Sequence, residues 1–212
     1  MKIRVAVIYG GRTGEHEVSV RSAKAILAGL DPAKYQTIEY FIDQQGKWSP
    51  RPILPEPGAH PGIDVVFPVL HGTFGEDGTV QGLLELADLP YVGAGVMASA
   101  ISMDKEMTKR VCLERMLPIV EYVAVTRDCP NVLDACRGLP FPVFVKPANL
   151  GSSVGISKAH DARELEAAFC PVRFSPRASS TITKTNTCWT WRGHRSPPSC
   201  PPSVPRRCAA LP

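Results

Sequence analysis

The sequence predicts an α/β protein that opens with a doubly wound parallel sheet. Two observations carry this. Short runs of β-branched residues alternate with segments whose apolar residues fall at helical spacing, and the first run, Ile3 to Ile8, stops at Gly10-Gly11, as a buried strand feeding a tight turn does. A third observation limits how far that fold extends. Up to Glu166 there are 17 Lys plus Arg against 20 Asp plus Glu, whereas after Glu166 there are 7 basic residues and no acidic ones, so the formal net charge of +4 sums two unlike pieces.

The first strand is followed by a helix from Ser19 onward, with Ala23, Ile26, Leu27 and Leu30 on one face and Asp31-Pro32 closing it. Tyr35 to Ile42 reads as the second strand, with a turn at Gln45-Gly46. The proline-rich run Pro50 to Pro61 is an extended connector. Ile63 to Leu70 is the next buried strand, and Val80, Leu83, Leu84 and Ala87 mark the helix after it.

A second unit is expected from Ser102, dividing the chain into 1–101, 102–168 and 169–212. Met103, Met107 and Val111 form one helical stripe, Glu121 to Thr126 a strand, Val132 to Cys136 a short helix and Phe141 to Lys146 a strand. Val154 to Ser157 can return as its hairpin partner. Asp161 followed by Glu164 has capping-box spacing and opens a helix with Leu165, Ala168 and Phe169 on one face.

From Cys170 the pattern is lost. Arg, Ser, Pro and Thr dominate the remainder, and only Val172, Ile182, Val204 and Leu211 supply aliphatic branches, so an irregular, disordered basic tail is expected over 169–212. The apolar run Val5 to Ile8 is too short for a signal-peptide core or a membrane span, which predicts a cytoplasmic protein without membrane contact. Cys112, Cys129 and Cys136 have no metal-type spacing and are expected as thiols, and no metal ligands are assigned.

Three polar loops carry the candidate chemistry. The first, Gly10 to Glu17, lies beyond the carboxyl end of a strand, where doubly wound sheets bind ligands. It is not G-x-G-x-x-G. A dinucleotide reading would use Asp43 as its acid, and in a third reading Glu15 and Glu17 only favour the helix N-terminus. The second, His71 to Gly78, has three glycines whose amides can converge on an anion, or Glu76 and Asp77 simply cap the next helix. The third, Lys146 to Gly155, ends a strand with a lysine and continues into Gly151-Ser152-Ser153, giving a point charge with amide and hydroxyl donors for a polyphosphate, or just a turn.

Taken together, Tyr9-Gly10-Gly11 through Glu15-His16-Glu17-Val18-Ser19, Leu70-His71-Gly72 through Gly82, Met103-Asp104-Lys105, and Phe144-Val145-Lys146-Pro147 through Gly155-Ile156 resemble the D-alanine–D-alanine ligases of the ATP-grasp superfamily. The resemblance runs from residue 1 to about 168. It implies a Rossmann-like amino-terminal substrate domain, an incomplete ATP-grasp central domain, and a homodimer. It also implies a reaction in which ATP phosphorylates one D-alanine and the amine of a second attacks the acyl phosphate, for peptidoglycan synthesis. By the same resemblance Lys105 and Lys146 neutralise nucleotide phosphates, while Gly151, Ser152, Ser153 and Val154 fold over them. Glu15 holds the first D-alanine's ammonium with Ser152 as its hydrogen-bonded neighbour, and His71 lines the substrate cleft.

The family's Mg2+ or Mn2+ ligands are carboxylates and an asparagine from the part that should follow. After Glu166 this chain has no Asp or Glu, and Asn186 is its one Asn there. The expectation is therefore a ligase truncated or frameshifted after about residue 168, with impaired or absent activity. The alternative is a non-catalytic remnant that still binds D-alanine or nucleotide. A nucleic-acid role for the tail through Trp189 and Trp191 is disfavoured, because its charges are scattered among prolines.

Overall fold

The computed structural model describes residues 1–126, 129–149, 155–169 and 180–184. The first sheet contains β1 (Ile3–Gly10), β2 (Tyr35–Ile42), β3 (Trp48–Ser49) and β4 (Val65–Pro68), in the order β3-β2-β1-β4. β1 pairs in parallel with β2 and β4, and β3 closes the edge antiparallel to β2. After β4, α2 (Thr79–Leu86) returns the chain so that Tyr91 makes a parallel bridge with Val66.

Both faces of β1 are buried, which is why its sequence runs apolar without alternation. Val5 and Val7 pack with Ala23 of α1 (His16–Gly29), with Ile26, Leu27 and Leu30 at the margin. Ala6 and Ile8 face the other way, onto Val80 and Leu84 of α2 and onto Ile53 and Ile63 of the proline-rich connector. Between β2 and β4, therefore, irregular chain covers the sheet where a doubly wound unit has a helix. α1 begins three residues before the expected Ser19, because His16 is buried with its Nδ1 2.7 Å from the Gly11 carbonyl and its ring edge-on to Phe41.

Arg4 and Asp64 tie the start of β1 to the entry of β4 by two side-chain bonds of 3.0 and 2.6 Å, and the Arg4 amide adds one of 2.7 Å. The hydrogen bonds from Arg4 hold the Asp64 carboxyl down at about 2, against an ordinary value of 3.8. A carboxyl depressed in the folded state stabilises above its unfolded pKa, and that contribution disappears as pH falls through the folded one. The difference in urea midpoint between wild type and Asp64→Asn is thus expected to shrink as pH falls from about 4 to about 2. A constant difference across that range would remove the ion pair from the stability of this sheet.

α3 (Val96–Met103) was not foreseen, and the expected stripe of Met103, Met107 and Val111 is divided by it. Asp104 ends α3 and caps α4 (Lys105–Glu114), its carboxylate accepting from Glu106 and Met107 amides at 2.9 and 3.0 Å. Met107 and Val111 are 43% and 42% exposed, and α4 buries no residue. Side chains at helical spacing identified a helix correctly but not a buried face.

The second sheet is antiparallel, in the order β5-β8-β6-β7, from β5 (Tyr122–Val125), β6 (Val143–Pro147), β7 (Ser157–Ala159) and β8 (Ser180–Lys184). β6 pairs antiparallel with β7 as expected, with Val145 opposite Ser157, but the return strand is Ser157–Ala159, sharing only Ser157 with the expected Val154–Ser157. One face of this sheet, Val123, Val125, Val143 and Val145, packs on Val132 and Cys136 around α5 (Val132–Ala135) and on Leu165, Ala168 and Phe169 of α6 (Ala162–Phe169). Asp161 Oδ1 accepts the Glu164 amide at 2.8 Å, and Glu164 reaches back to the amide of His160, one residue beyond the expected box partner. Cys112, Cys129 and Cys136 are free thiols, and burial pushes Cys136 up to about 11.

The expectation of an irregular tail fails at Ser180–Lys184, which bonds to both β5 and β6. Residues 170–179 and 185–212, with Trp189 and Trp191, lie outside the described residues. Among the described residues no helix is long and apolar enough to cross a membrane.

Candidate active site

Loop 1 and loop 2 meet at the carboxyl ends of β1 and β4. Ser19, fully buried in the first turn of α1, accepts the Gly10 amide at 2.8 Å and donates to the Val69 carbonyl at 2.5 Å, binding the two strand ends together. Thr13 Oγ1 donates to the His71 carbonyl at 3.1 Å, so the loops are also joined directly.

The acidic residues of the two loops differ in what their carboxylates meet. Glu15 occupies the N-cap position of α1 yet makes no capping bond with its side chain. Its carboxylate instead lies against Gly72, where an added Cβ would stand 2.5 Å from Oε2. Glu76 and Asp77 support the loop's backbone: Glu76 Oε2 accepts the Gly72 amide at 2.7 Å, and Asp77 accepts those of Phe74 and Thr79 at 2.9 and 3.0 Å. Burial pushes Asp77 up, but these bonds outweigh it and leave the carboxyl below its usual range. Asp43 is likewise occupied, accepting the Gln45 and Lys47 amides of the β2–β3 turn at 2.9 and 2.8 Å, which removes the acid that a dinucleotide reading requires.

His71 lies within 3.2 Å of Ser22 Oγ through Nε2, and its Nδ1 is 3.8 Å from Glu76 Oε1. Ser22 was not among the residues singled out by pattern; its position one helical turn beyond Ser19 on α1 is the signal that would have found it.

Lys105 comes from the first turn of α4 and reaches the end of β6. Its Nζ donates to the carbonyls of Pro147 and Ala148 at 3.0 and 3.5 Å, and its amide donates to Ala148 at 2.9 Å. Burial first, and then the neighbouring charge of Lys146, hold its ammonium below the ordinary lysine range. Lys146 itself lies on the face of β6 opposite the valine core, its Nζ 5.3 Å from the Phe144 ring centre. The structure thus brings Glu15 to Gly72, the residue after His71, and Lys105 to Lys146. Gly151, Ser152, Ser153 and Val154 lie outside the described residues.

Two cavities border these residues. One, of about 270 Å3, is lined by loop 1 and loop 2, including Arg12, Thr13, His71 and Phe74. The other, of about 420 Å3, runs between Thr73 and Asp77 of loop 2, Asp104 at the α3–α4 junction, and Asn149. Glu15, Lys105 and Lys146 line neither, so the candidate ligand groups are defined by their own geometry and not by these cavities.

The family model for the D-ala D-ala ligase N-terminus matches residues 4–60 and 54–94, and that for the D-ala D-ala ligase C-terminus matches residues 111–173. A curated D-alanine–D-alanine ligase of Solibacter usitatus is 85% identical over 169 residues, which are 80% of this chain and 52% of that protein. The chain belongs to the D-alanine–D-alanine ligase family. Among solved structures of this family, the Coxiella burnetii D-alanine–D-alanine ligase superposes with a TM-score of 0.76 at 34% identity, over 87% of this chain and 62% of that one. The VanG D-Ala:D-Ser ligase of Enterococcus faecalis gives a TM-score of 0.78 at 29% identity, over 88% and 64%. The chain spans about half the length of the curated ligases it matches, 52% and 56% for the first two.

Proposed function

We propose that this chain carries the D-alanine-binding and phosphate-binding side chains of a D-alanine–D-alanine ligase, binds those two ligands, and is impaired in the complete ligase reaction. The observation that carries the reading is the Glu15 carboxylate, which leaves its helix uncapped and lies against Gly72. A carboxylate held there can pair with the ammonium of a D-alanine whose carboxylate points away from it. His71, held near Ser22, lines the cavity of about 270 Å3 beside that loop.

Lys105 and Lys146 suit the phosphates of ATP, because backbone carbonyls orient the first and no described carboxylate neutralises the second. Bound ATP supplies the phosphoryl group that activates the D-alanine carboxylate. Around it Lys105 and Lys146 would offset the phosphate charge; Gly151, Ser152, Ser153 and Val154, which the family resemblance assigns to the same phosphates, lie outside the described residues. Magnesium or manganese does not fit the residues present: among the described residues no group of three or more His, Cys, Asp or Glu could hold an ion, and no carboxylate follows Glu166. No step is assigned to a metal here. A cytoplasmic location and a homodimer belong to the same reading.

Calorimetric titration of the full chain tests this. Glu15→Gln is expected to weaken D-alanine binding about 10- to 100-fold, the range of one charge-assisted hydrogen bond, and Lys146→Ala to weaken ATP binding similarly. Unchanged heats in both variants would overturn the site. Phosphate release with ATP, D-alanine and Mg2+ is expected at the level of Lys146→Ala; release well above that variant would overturn the impairment and make the chain a working ligase.

A further inference from the structure

The cavity of about 270 Å3 beside loops 1 and 2 is built from more than those loops. Its apolar wall consists of Ile42 at the end of β2, Trp48 of β3, Leu70 after β4, and Val80 and Leu83 of α2. All five belong to the core cluster of the first sheet or pack against it, so the fold itself fixes the wall. Among the described residues proposed to bind D-alanine or phosphate, only His71 lines this cavity.

Two exposed residues, Arg12 and Phe74, complete the lining. The guanidinium carbon of Arg12 lies 4.7 Å from the centre of the Phe74 ring. Gly46 of the β2–β3 turn makes room for this side chain, since an added Cβ there would stand 2.8 Å from Arg12 Cδ. Phe74 sits at φ +69°, a conformation that bulky residues avoid, and is 46% exposed. Its amide donates to Asp77 at 2.9 Å and its carbonyl accepts the Val80 amide at 3.2 Å, so bonds on both sides hold the ring there. Core packing does not account for a strained backbone that leaves an aromatic ring in water, whereas a ligand that covers the ring does.

The chemistry of the lining defines that ligand. Stacking on Phe74 uses the face of the guanidinium and leaves its in-plane N–H donors to pair with an anion. That planar fork matches a carboxylate bidentately, and the apolar wall with the flat faces of Trp48 and Phe74 suits an aromatic body. At about 30 Å3 per water the space equals roughly nine waters, which suits a ligand of about ten non-hydrogen atoms and is small for a nucleotide. We propose that this cavity is a separate binding site for a small aromatic carboxylate, with Arg12 pairing with the carboxylate and Ile42, Trp48, Leu70, Val80 and Leu83 covering the ring. It goes beyond the ligase reading and depends on neither Glu15 nor the lysines.

The test is calorimetry on the full chain with 3-phenylpropionate and with 3-phenylpropionamide, which has the same body without the charge. Saturable binding of the carboxylate below about 10 mM is expected, roughly fivefold or more tighter than that of the amide. Arg12→Met is expected to weaken the carboxylate about tenfold and to leave the amide unchanged, while Arg12→Lys restores only part of the loss because an ammonium lacks the planar fork. Arg12 is exposed, so neither variant should unfold the sheet. Saturating D-alanine is expected to change the affinity by less than about twofold, as separate sites require. Displacement of 3-phenylpropionate by D-alanine would overturn the separate site. Equal affinities for acid and amide, or no loss in Arg12→Met, would overturn the carboxylate, and absence of saturable binding would overturn the cavity as a ligand site.

Discussion

Gly10→Ala is expected to unfold the amino-terminal sheet. Gly10 ends β1 with φ at +92°, a conformation that costs a side-chain-bearing residue, and it sits in register with Ile42 of β2. An added Cβ would run into the Ile42 carbonyl oxygen and press on Phe41 Cε2 and His16 Cε1 at 3.1 and 3.2 Å. The oxygen cannot move aside, because it accepts the Gly11 amide at 2.8 Å. Strain and clash together place the loss above about 4 kcal/mol, a large part of the stability of a domain this size. Gly14→Ala is the control, since nothing stands within 4 Å of a Cβ there and its φ is not positive. Circular dichroism with urea titration checks both. A Gly10→Ala midpoint equal to that of wild type would mean the β1 terminus can rearrange freely.

Ser19→Ala is expected to cost about 2–4 kcal/mol, because it leaves one donor and one acceptor unpaired in the interior. Those groups are the Gly10 amide and the Val69 carbonyl, and the Ser19 hydroxyl that joins them has no solvent exposure. The effect should reach the ligand site as well. Val69 leads through Leu70 into His71, and Gly10 into the loop that carries Glu15, so loosening their link is expected to let the residues proposed to bind D-alanine drift apart. Urea unfolding and D-alanine titration on the same preparation measure both consequences. A loss below about 1 kcal/mol would mean another partner satisfies the two backbone groups.

How much of this was legible beforehand depended on the range of the interactions concerned. β2 was bounded at Tyr35 and Ile42 as found, because β-branched and aromatic residues run between two sets of turn residues. Leu165, Ala168 and Phe169 do share a buried face, as the capped helical period required. The α3–α4 junction was missed because apolar spacing continues across it, and Asp104 ends one helix and caps the next only once its carboxylate meets the Glu106 and Met107 amides. β3 was missed for its length of two residues, which carries no period.

The candidate site shows the same division. Glu15, His71, Lys105 and Lys146 were named from motifs, but whether Glu15 caps a helix or faces Gly72 could not be read from either loop alone.

By itself the sequence determined the family, the strand–loop–helix order around Glu15 and His71, and the change of composition after Glu166. These are written in local periodicity and in residues close together along the chain. Only the tertiary structure decided that Asp43, Glu76 and Asp77 serve backbone amides, that Lys105 reaches the end of the strand that carries Lys146, and that Ser180–Lys184 forms a strand. The physical reason is that a strand's hydrogen bonds come from backbone groups every residue carries. β5 and β6 can therefore recruit a segment with no alternating apolar pattern, and a side chain's role depends on partners far away in sequence.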